Sequence, residues 1–486
     1  MLRKVRIILA YVFFIGTTLL FLDFTGTLHA WLGWMAKIQF LPAMLAVNTV
    51  ILAGLLLLTV LFGRIYCSVI CPLGIMQDII SWVNSKRRKK NRFRFSFKKE
   101  KKWVRLGFLA FFVIALALGA HSIAAIIAPY SAYGRIASNL FAPVYRLCNN
   151  LMAWIAERAG SYAFYNTEVW IKSIPTFIIA AISLIVIFIM AWKGGRSYCN
   201  TVCPVGTILG FFARRSIFVP VIDTEKCKNC GLCGRQCKSS CIDMKNHTID
   251  YSRCVACMDC LDNCNDGAIS YKARYGQNAG SDAGRRAFLV SAAMTSAAIG
   301  AEAARKRHLP TGIKETPKRE CSPVPAGAIS QKNFHDRCTA CQLCVSACPN
   351  EVLRPSSSLT TLMQPEMHFD KDYCRPDCTQ CSNVCPTGAI KPVSQEERTA
   401  IQIGIAIINH ELCVVNTDNV NCGNCARHCP AGAIRMVRRN PEDEQSLLIP
   451  AVNEERCIGC GACEHLCPAR PVSAIHVEGT QVHRTI

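Results

Sequence analysis

The pattern of apolar and polar positions divides the chain into two kinds of sequence. Val5–Phe24, Phe40–Phe62, Leu106–Ala128 and Ile174–Trp192 are each long and apolar enough for a helix to cross a bilayer, and they predict four transmembrane helices. After Pro220 the long apolar runs stop. Short polar segments punctuated by Gly, Pro and Asp follow, and closely spaced cysteines recur among them. The expected fold is therefore multi-domain, an α-helical membrane domain joined to small cysteine-built units.

Charge orients the first part. Arg3, Lys4 and Arg6 flank the first apolar stretch, eleven Lys and Arg residues crowd Lys86–Lys102 after the second, and Lys193, Arg196, Arg214 and Arg215 follow the fourth. The positive-inside rule places all three groups at the cytoplasmic face. That distribution also accounts for much of the formal net charge of +22, so membrane orientation explains it more simply than nucleic-acid binding. The outer loop 129–173 is poorer in charge; its Trp154, Tyr162, Tyr165 and Trp170 fit either a far-interface belt or ordinary loop aromatics.

A repeat lies inside the membrane domain. GRIYCSVICPLG from Gly63 and GRSYCNTVCPVG from Gly195 match at seven of twelve positions, including Cys67/Cys199, Cys71/Cys203 and Pro72/Pro204. Each copy follows an outside-to-inside helix, so the repeats run parallel and bring four thiols to one membrane face. Thiolates suit iron or zinc, and the spacing leaves open a metal site, an iron–sulfur centre, a redox dithiol or two structural thiol pairs.

The chain has 31 cysteines in 486 residues. Tight C-x-x-C-x-x-C-x-x-x-C runs suit a compact inorganic cluster better than disulfides, which belong to short secreted chains. Cys227, Cys230, Cys233 and Cys237 are followed by Cys254, Cys257, Cys260 and Cys264, the spacing of a bacterial two-cluster ferredoxin. In that arrangement three cysteines of a run hold one [4Fe–4S] cube and the fourth reaches the other, so Cys264 is expected to complete the first site and Cys237 the second. Lys238 and Asn265 stand where proline usually follows.

Four more runs come later, all ending in Cys-Pro. Cys338, Cys341, Cys344, Cys348 and Cys457, Cys460, Cys463, Cys467 are regular; Cys374, Cys378, Cys381, Cys385 and Cys413, Cys422, Cys425, Cys429 have lengthened first gaps. Six runs predict six [4Fe–4S] clusters. Fourth cysteines can be exchanged between neighbouring runs, or outer with outer and inner with inner; spacing does not choose. Cys148, Cys241 and Cys321 are left over. No nucleophilic triad, phosphate loop or dinucleotide fingerprint accompanies the runs, which points to electron transfer rather than substrate chemistry. His29 and His121 are candidates for haem or quinone contact, or for helix packing; neither has a partner at informative spacing.

Between the two cysteine-rich parts, AGRRAFLVSAAMTSAAIGAEAA (283–304) has paired arginines, a mildly apolar core and an A-x-A-like end, as an exported protein's start does. Gly284 stands where Ser or Thr is common in twin-arginine signals. The segment is expected either to carry residues 311–486 across the membrane, as a retained fifth span or with cleavage near Ala303, or to be an Ala-rich linker.

On these motifs, residues 1–275 resemble NapH, the membrane quinol-dehydrogenase component associated with periplasmic nitrate reductase, and the later part resembles NapG and MauM-type ferredoxins. The resemblance implies an in-line fusion: a four-span membrane domain (1–215), a two-cluster α+β ferredoxin domain (216–275), a twin-arginine segment (276–310) and a four-cluster domain (311–486). It further implies oxidation of quinol from the quinone pool at the inner membrane and delivery of electrons to a periplasmic cytochrome or reductase, with the first ferredoxin cytoplasmic and the last domain periplasmic. A ferredoxin- or flavodoxin-linked donor, or a NosR-like or metal-handling maturation role, are the alternatives.

Overall fold

The computed structural model describes residues 1–23, 25–87, 95–274, 314 and 316–486. The twin-arginine segment therefore lies outside the described residues, as does any fifth span built from it.

Two of the four apolar stretches are continuous helices of 21 residues, Leu2–Leu22 and Ile174–Gly194, each long and apolar enough to cross a membrane. The other two are broken. The helix Phe40–Leu45 ends where Val47 turns through a positive φ of 55°, and Asn48 then caps Thr49–Phe62 by accepting the Ile51 N–H. Lys102–Ala117 stops before Gly119, at φ 74°, and His121–Ile127 restarts beyond it. Helices of 14 and 16 residues reach only about 21 and 24 Å, short of a hydrocarbon core of about 30 Å. Of the four full spans expected, two are thus continuous helices long enough to cross a membrane, and the other two stretches are interrupted. Apolar side chains face outward on all of them, including Ile8 and Val12, Val50 and Leu57, Val113 and Ile114, and Ile178, Ile182 and Ile189, whereas Leu20, Phe112, Ala180 and Ala191 face in.

The loop between the second pair of stretches is itself helical. Pro129–Ile136 passes through a π-turn at Ala137–Phe141 into Ala142–Arg158, and Tyr130, Tyr133, Arg135 and Ile136 are fully buried beneath it.

The cysteine-rich units are built from short antiparallel strand pairs. Phe218–Ile222 pairs with Ile269–Ala273 and closes the first ferredoxin unit, which is tied to the helices by Ile217 N–H donating to Val60 O and by Tyr271 Oη donating to Phe62 O. In the C-terminal unit Leu353–Pro355 pairs with Pro365–Met367, Ile401–Ile408 with Ile475–Thr485, and Ile434–Arg438 with Leu448–Val452. Its first half shares a continuous core with the helices, through Leu20, Phe21, Ile136, Phe334, Leu343 and Phe369; its second half closes over a separate core around Val415, Ile434 and Ile475.

The Leu2–Leu22 helix touches both cysteine-rich units, one at each end. Arg3 near its start binds Asp259 at 2.8 Å and Asp262 at 3.2 Å, in the first ferredoxin unit. Phe21 near its other end lies under Gly134, where the outer helix meets the Cys341 carbonyl. A helix of that length spans about 30 Å. At Gly134 an added Cβ would collide with the Cys341 carbonyl oxygen and stand 2.9 Å from the Phe21 ring. Gly134→Ala is therefore expected to cost about 1–3 kcal/mol by overpacking, read as a lowered midpoint in thermal unfolding of the detergent-solubilised protein; an unchanged midpoint would mean that this contact does not seat the C-terminal unit.

Candidate iron–sulfur centres

The four regular runs share one backbone device. The residues on both sides of the second cysteine have positive φ: Asn229 (53°) and Gly231 (70°), Ala256 (49°) and Met258 (61°), Ala340 (48°) and Gln342 (65°), Gly459 (72°) and Gly461 (80°). Non-glycine residues adopt this region rarely and at a cost, and such turns gather backbone N–H groups into anion-binding concavities. The third cysteine then enters a short helix, Leu232–Gln236, Asp259–Asp262, Leu343–Ala347 or Ala462–His465. The lengthened runs depart from this, with Thr379 at φ −119° and Gly423 at φ −156°.

Side chains from different runs meet. Cys227, Cys230 and Cys233 line one cavity with Cys264, and Cys254, Cys257 and Cys260 line another with Cys237. Cys374, Cys378 and Cys381 surround a cavity with Cys348, and Cys457, Cys460 and Cys463 one with Cys429. Cys338, Cys341 and Cys344 lie within electrostatic reach of Cys385, and Cys413 and Cys425 within reach of both Cys422 and Cys467. In the C-terminal unit it is thus neighbouring runs that exchange fourth cysteines, the option that spacing alone left open. Among the described residues no three His, Cys, Asp or Glu side chains are grouped so as to hold a single metal ion. Four soft sulfurs around a shared cavity, three from one run and one from its neighbour, suit a polynuclear iron–sulfur cluster.

Cys241, left unassigned by spacing, belongs beside one of these sets. It is buried in the cavity of Cys237, Cys254, Cys257 and Cys260, with its sulfur 3.5 Å from Cys237 Sγ, and the hydrogen bond it offers there brings the Cys237 thiol down to about 7. Its one sequence signal is its place four residues after Cys237.

The membrane repeat assembles a seventh group. Cys67, Cys71, Cys199 and Cys203 are all buried and within electrostatic reach of one another. Each repeat lends its arginine to the other. Arg64 donates to the Cys199 carbonyl at 3.0 Å and lies 3.8 Å from Cys67 Sγ; Arg196 donates to the Cys67 carbonyl at 2.6 Å and lies 3.9 Å from Cys199 Sγ. Both are fully buried. The last glycine of each repeat makes room, since a Cβ on Gly74 would strike Cys67 O and Arg196, and one on Gly206 would strike Cys199 O and Arg64. Gln77 adds a donor 3.3 Å from Cys199 Sγ.

Around Arg196 a buried ion network joins three segments. Asp78 pairs with Arg196 at 2.8 Å, Arg6 at 3.3 Å and Lys238 at 3.6 Å, and Lys238 reaches Asp259 at 2.8 Å. The Lys238 carbonyl also accepts the Arg196 N–H. The residue that replaces the expected proline is therefore the one that docks the first ferredoxin unit onto the repeat. Arg64 completes the joint by donating to Ser252 O, two residues before Cys254.

On the other side of the thiols, Tyr198 donates to Ile127 O at 2.7 Å, Arg135 lies within reach of both Tyr198 and Cys341, and Tyr130 within reach of Cys341 and Cys385. Beyond, the Cys374 N–H donates to Cys460 O, and Arg398 stands 3.1 Å from Cys374 Sγ. The remaining candidates are local. His29 pairs with Asp23 at 3.1 Å, and His121 lies 3.8 Å from Asp336, each with a carboxylate rather than with the other. Trp154, Tyr162 and Tyr165 are exposed, whereas the Trp170 indole N–H is bound by Glu351. Cys148 is exposed and Cys321 partly so.

These placements separate the two cysteines that cross within the first ferredoxin unit. Cys264→Ala is expected to abolish the spectrum of the Cys227 set and leave the Cys254 set, and Cys237→Ala the reverse, as read by electron paramagnetic resonance of the reduced protein. Cys241→Ala should keep both spectra but lower the midpoint potential of the Cys254 set, because a hydrogen bond to a ligand sulfur stabilises the reduced, more anionic state; loss of that set's signal would make Cys241 a ligand instead.

The profile of the family described as 4Fe-4S binding domain matches residues 45–91 and 176–221, the two copies of the membrane repeat, and that of the 4Fe-4S dicluster domain matches 337–389 and 420–470. The methylamine utilization ferredoxin-type protein MauM of Methylophilus methylotrophus is 34% identical over 21% of this chain and 47% of its own length, so the match spans less than half of that relative. MauN of Methylobacillus flagellatus is 25% identical over 48% of this chain and 69% of its own, and YccM of Escherichia coli 23% identical over 46% and 55%. No solved structure matches the chain. It is a ferredoxin-type 4Fe–4S protein related at low identity to MauM, MauN and YccM.

Proposed function

We propose that the chain is a membrane-bound electron-transfer protein of quinol dehydrogenase type, NapH-like in its first part and NapG-like in its last, which passes electrons from the quinone pool to a redox partner outside the cytoplasmic membrane. Each of the six cysteine sets holds one [4Fe–4S] cluster, whose bound chemistry is one-electron transfer. The C-terminal unit faces the periplasm and the first ferredoxin unit the cytoplasm.

The observation that carries this reading is the serial order of the sulfur sets. The four-thiol centre stands between the two cysteine-rich units, sharing Arg64 with the Cys254 set and joined toward the Cys338 set by Tyr198, Arg135 and Tyr130. Two fully buried guanidiniums favour an anionic occupant there, and an iron–sulfur centre ligated by four thiolates is one. In this reading the seven sulfur sets follow one another from the Cys227 set, at the cytoplasmic end, to the pair at Cys413 and Cys457.

A second reading draws support from Cys230, which is exposed, with Lys226 and Lys228 beside it mostly exposed as well. Such a site suits a soluble acidic ferredoxin or flavodoxin as cytoplasmic donor. Menaquinol or ubiquinol added anaerobically should bleach the broad iron–sulfur absorbance of the purified protein if the first reading holds; bleaching by reduced flavodoxin alone would select the second. Iron analysis should give about 24 atoms per chain from the six sets, with any excess assigned to the four-thiol centre and absent from Cys67→Ser.

Topology is tested separately. Protease added to intact spheroplasts should reach the Cys338–Cys467 unit and spare the first ferredoxin, and the pair Arg285→Lys with Arg286→Lys should remove that access. Protection of both units until the membrane is opened would reject delivery to the periplasm.

A further inference from the structure

We propose that the quinol of this electron-transfer reading binds in the cleft where the outer ends of the two spanning helices meet the C-terminal unit. The cleft comprises about 510 Å³ of space, counting the part that is open to solvent. Its walls come from Phe21 and Leu22 at the end of one spanning helix, Phe177 in the first turn of the other, the π-turn, and the segment Val169–Lys172. It therefore opens beside the ends of the apolar spans, where a prenylated ring can enter from lipid with its tail left among the exposed apolar side chains.

Three observations fit a quinol in particular. Phe21, Trp170 and Phe177 supply flat apolar walls to a ring. Ser138 and Ser346 hydrogen-bond to each other at 2.9 Å in the wall of the cleft and can turn a hydroxyl to a ligand, and Lys172 places an ammonium there, with Val345 O at 2.8 Å as one of the three acceptors it can serve. These groups can bond a ring oxygen as hydroxyl or as carbonyl. Finally, the wall formed by Ser346 is the helix Leu343–Ala347, which carries Cys344 and lies between Cys341 and Cys348. Lys172 is itself within electrostatic reach of Cys348, and burial lowers its pKa to about 8. π-Turns, moreover, recur at functional sites.

The position puts a bound ring against two sulfur sets at once, the Cys338 set and the Cys374 set that takes Cys348. Oxidation balances as quinol giving quinone, two protons and two electrons; each of the two adjoining cubes, as oxidised [4Fe–4S], takes one electron, and the protons pass to water on the outer side. The proposal rests on the quinol reading and adds where that quinol sits.

The test uses the full chain in detergent with its clusters loaded. An azido-naphthoquinone photolabel should mark peptides spanning 138–146 and 169–177, with excess unlabelled naphthoquinone competing. Ser138→Phe, which fills the cleft, and Lys172→Met, which removes a donor, should each weaken labelling by about tenfold or more and slow reduction by duroquinol, while dithionite still bleaches the full iron–sulfur absorbance. Labelling elsewhere, or variants labelled and reduced like the wild type, would overturn the cleft and leave quinol oxidation standing. A wild-type protein that neither takes the label nor accepts electrons from any quinol would reject the parent reading with it.

Discussion

The structure turns on the Arg196 guanidinium. It is fully buried, and a charge in that position is held only by partners on every side. It has the Asp78 carboxylate after the first repeat and the Cys67 carbonyl within it, and Asp78 in turn pairs with Lys238 of the first ferredoxin unit, whose carbonyl accepts the Arg196 backbone N–H. Arg64 repeats the arrangement in mirror order, with Cys199 O and Ser252 O. Removing Arg64 would leave the Cys199 and Ser252 carbonyls without that donor, and removing Arg196 would take from Asp78 its shortest ion pair and from Cys67 O its donor, so each change weakens the joint between the repeats and the docked ferredoxin unit. A lysine could not replace either arginine, because each serves separate acceptors through one rigid fork.

A second constraint acts in the ferredoxin units. Every set takes three sulfurs from one run and the fourth from its neighbour, so no run can complete a site before the adjacent run has folded beside it. Ligand binding that requires two distant loops contributes its free energy to folding. The positive-φ pairs around the second cysteines add strain that the surrounding loop must hold. Four sets can then be built into a unit whose strand pairs are only three to eleven residues long.

Much of this was legible in sequence because its signals are local. The i, i+3, i+6, i+10 spacing of the runs, the seven matching positions of the repeat and the apolar stretches each reflect one short segment's own geometry. What escaped depended on contacts between segments. Val47 and Gly119 break two apolar stretches without changing their hydropathy, since a left-handed turn needs one residue and the next helix resumes at once. Lys238 read as a departure from Cys-Pro, and its reason lies in Asp78, 160 positions earlier. Cys241 read as surplus until Cys237 and Cys254 closed around it. The exchange of fourth cysteines in the C-terminal unit had two solutions on spacing, and strand pairing of the segments between neighbouring runs brings those runs together.

The helical loop 129–158 is what joins the four-thiol centre to the Cys338 set. Without contacts between the helices and the C-terminal unit, nothing would fix the distance from the four-thiol centre to the Cys338 set. Instead Arg146 binds Glu351 at 2.6 Å, Asn139 binds Gln342 at 2.7 Å and Lys172 binds Val345 O, three polar contacts spread along the Cys338–Glu351 segment. Between them Gly134 lets the outer helix approach the Cys341 carbonyl directly, while Tyr130 and Arg135 point from the same helix toward the sulfurs. One short helix thus serves two needs that would otherwise conflict: it seats a unit carrying four sulfur sets by close backbone contact, and it supplies the buried polar side chains that lie between those sets and the thiols of the membrane repeat.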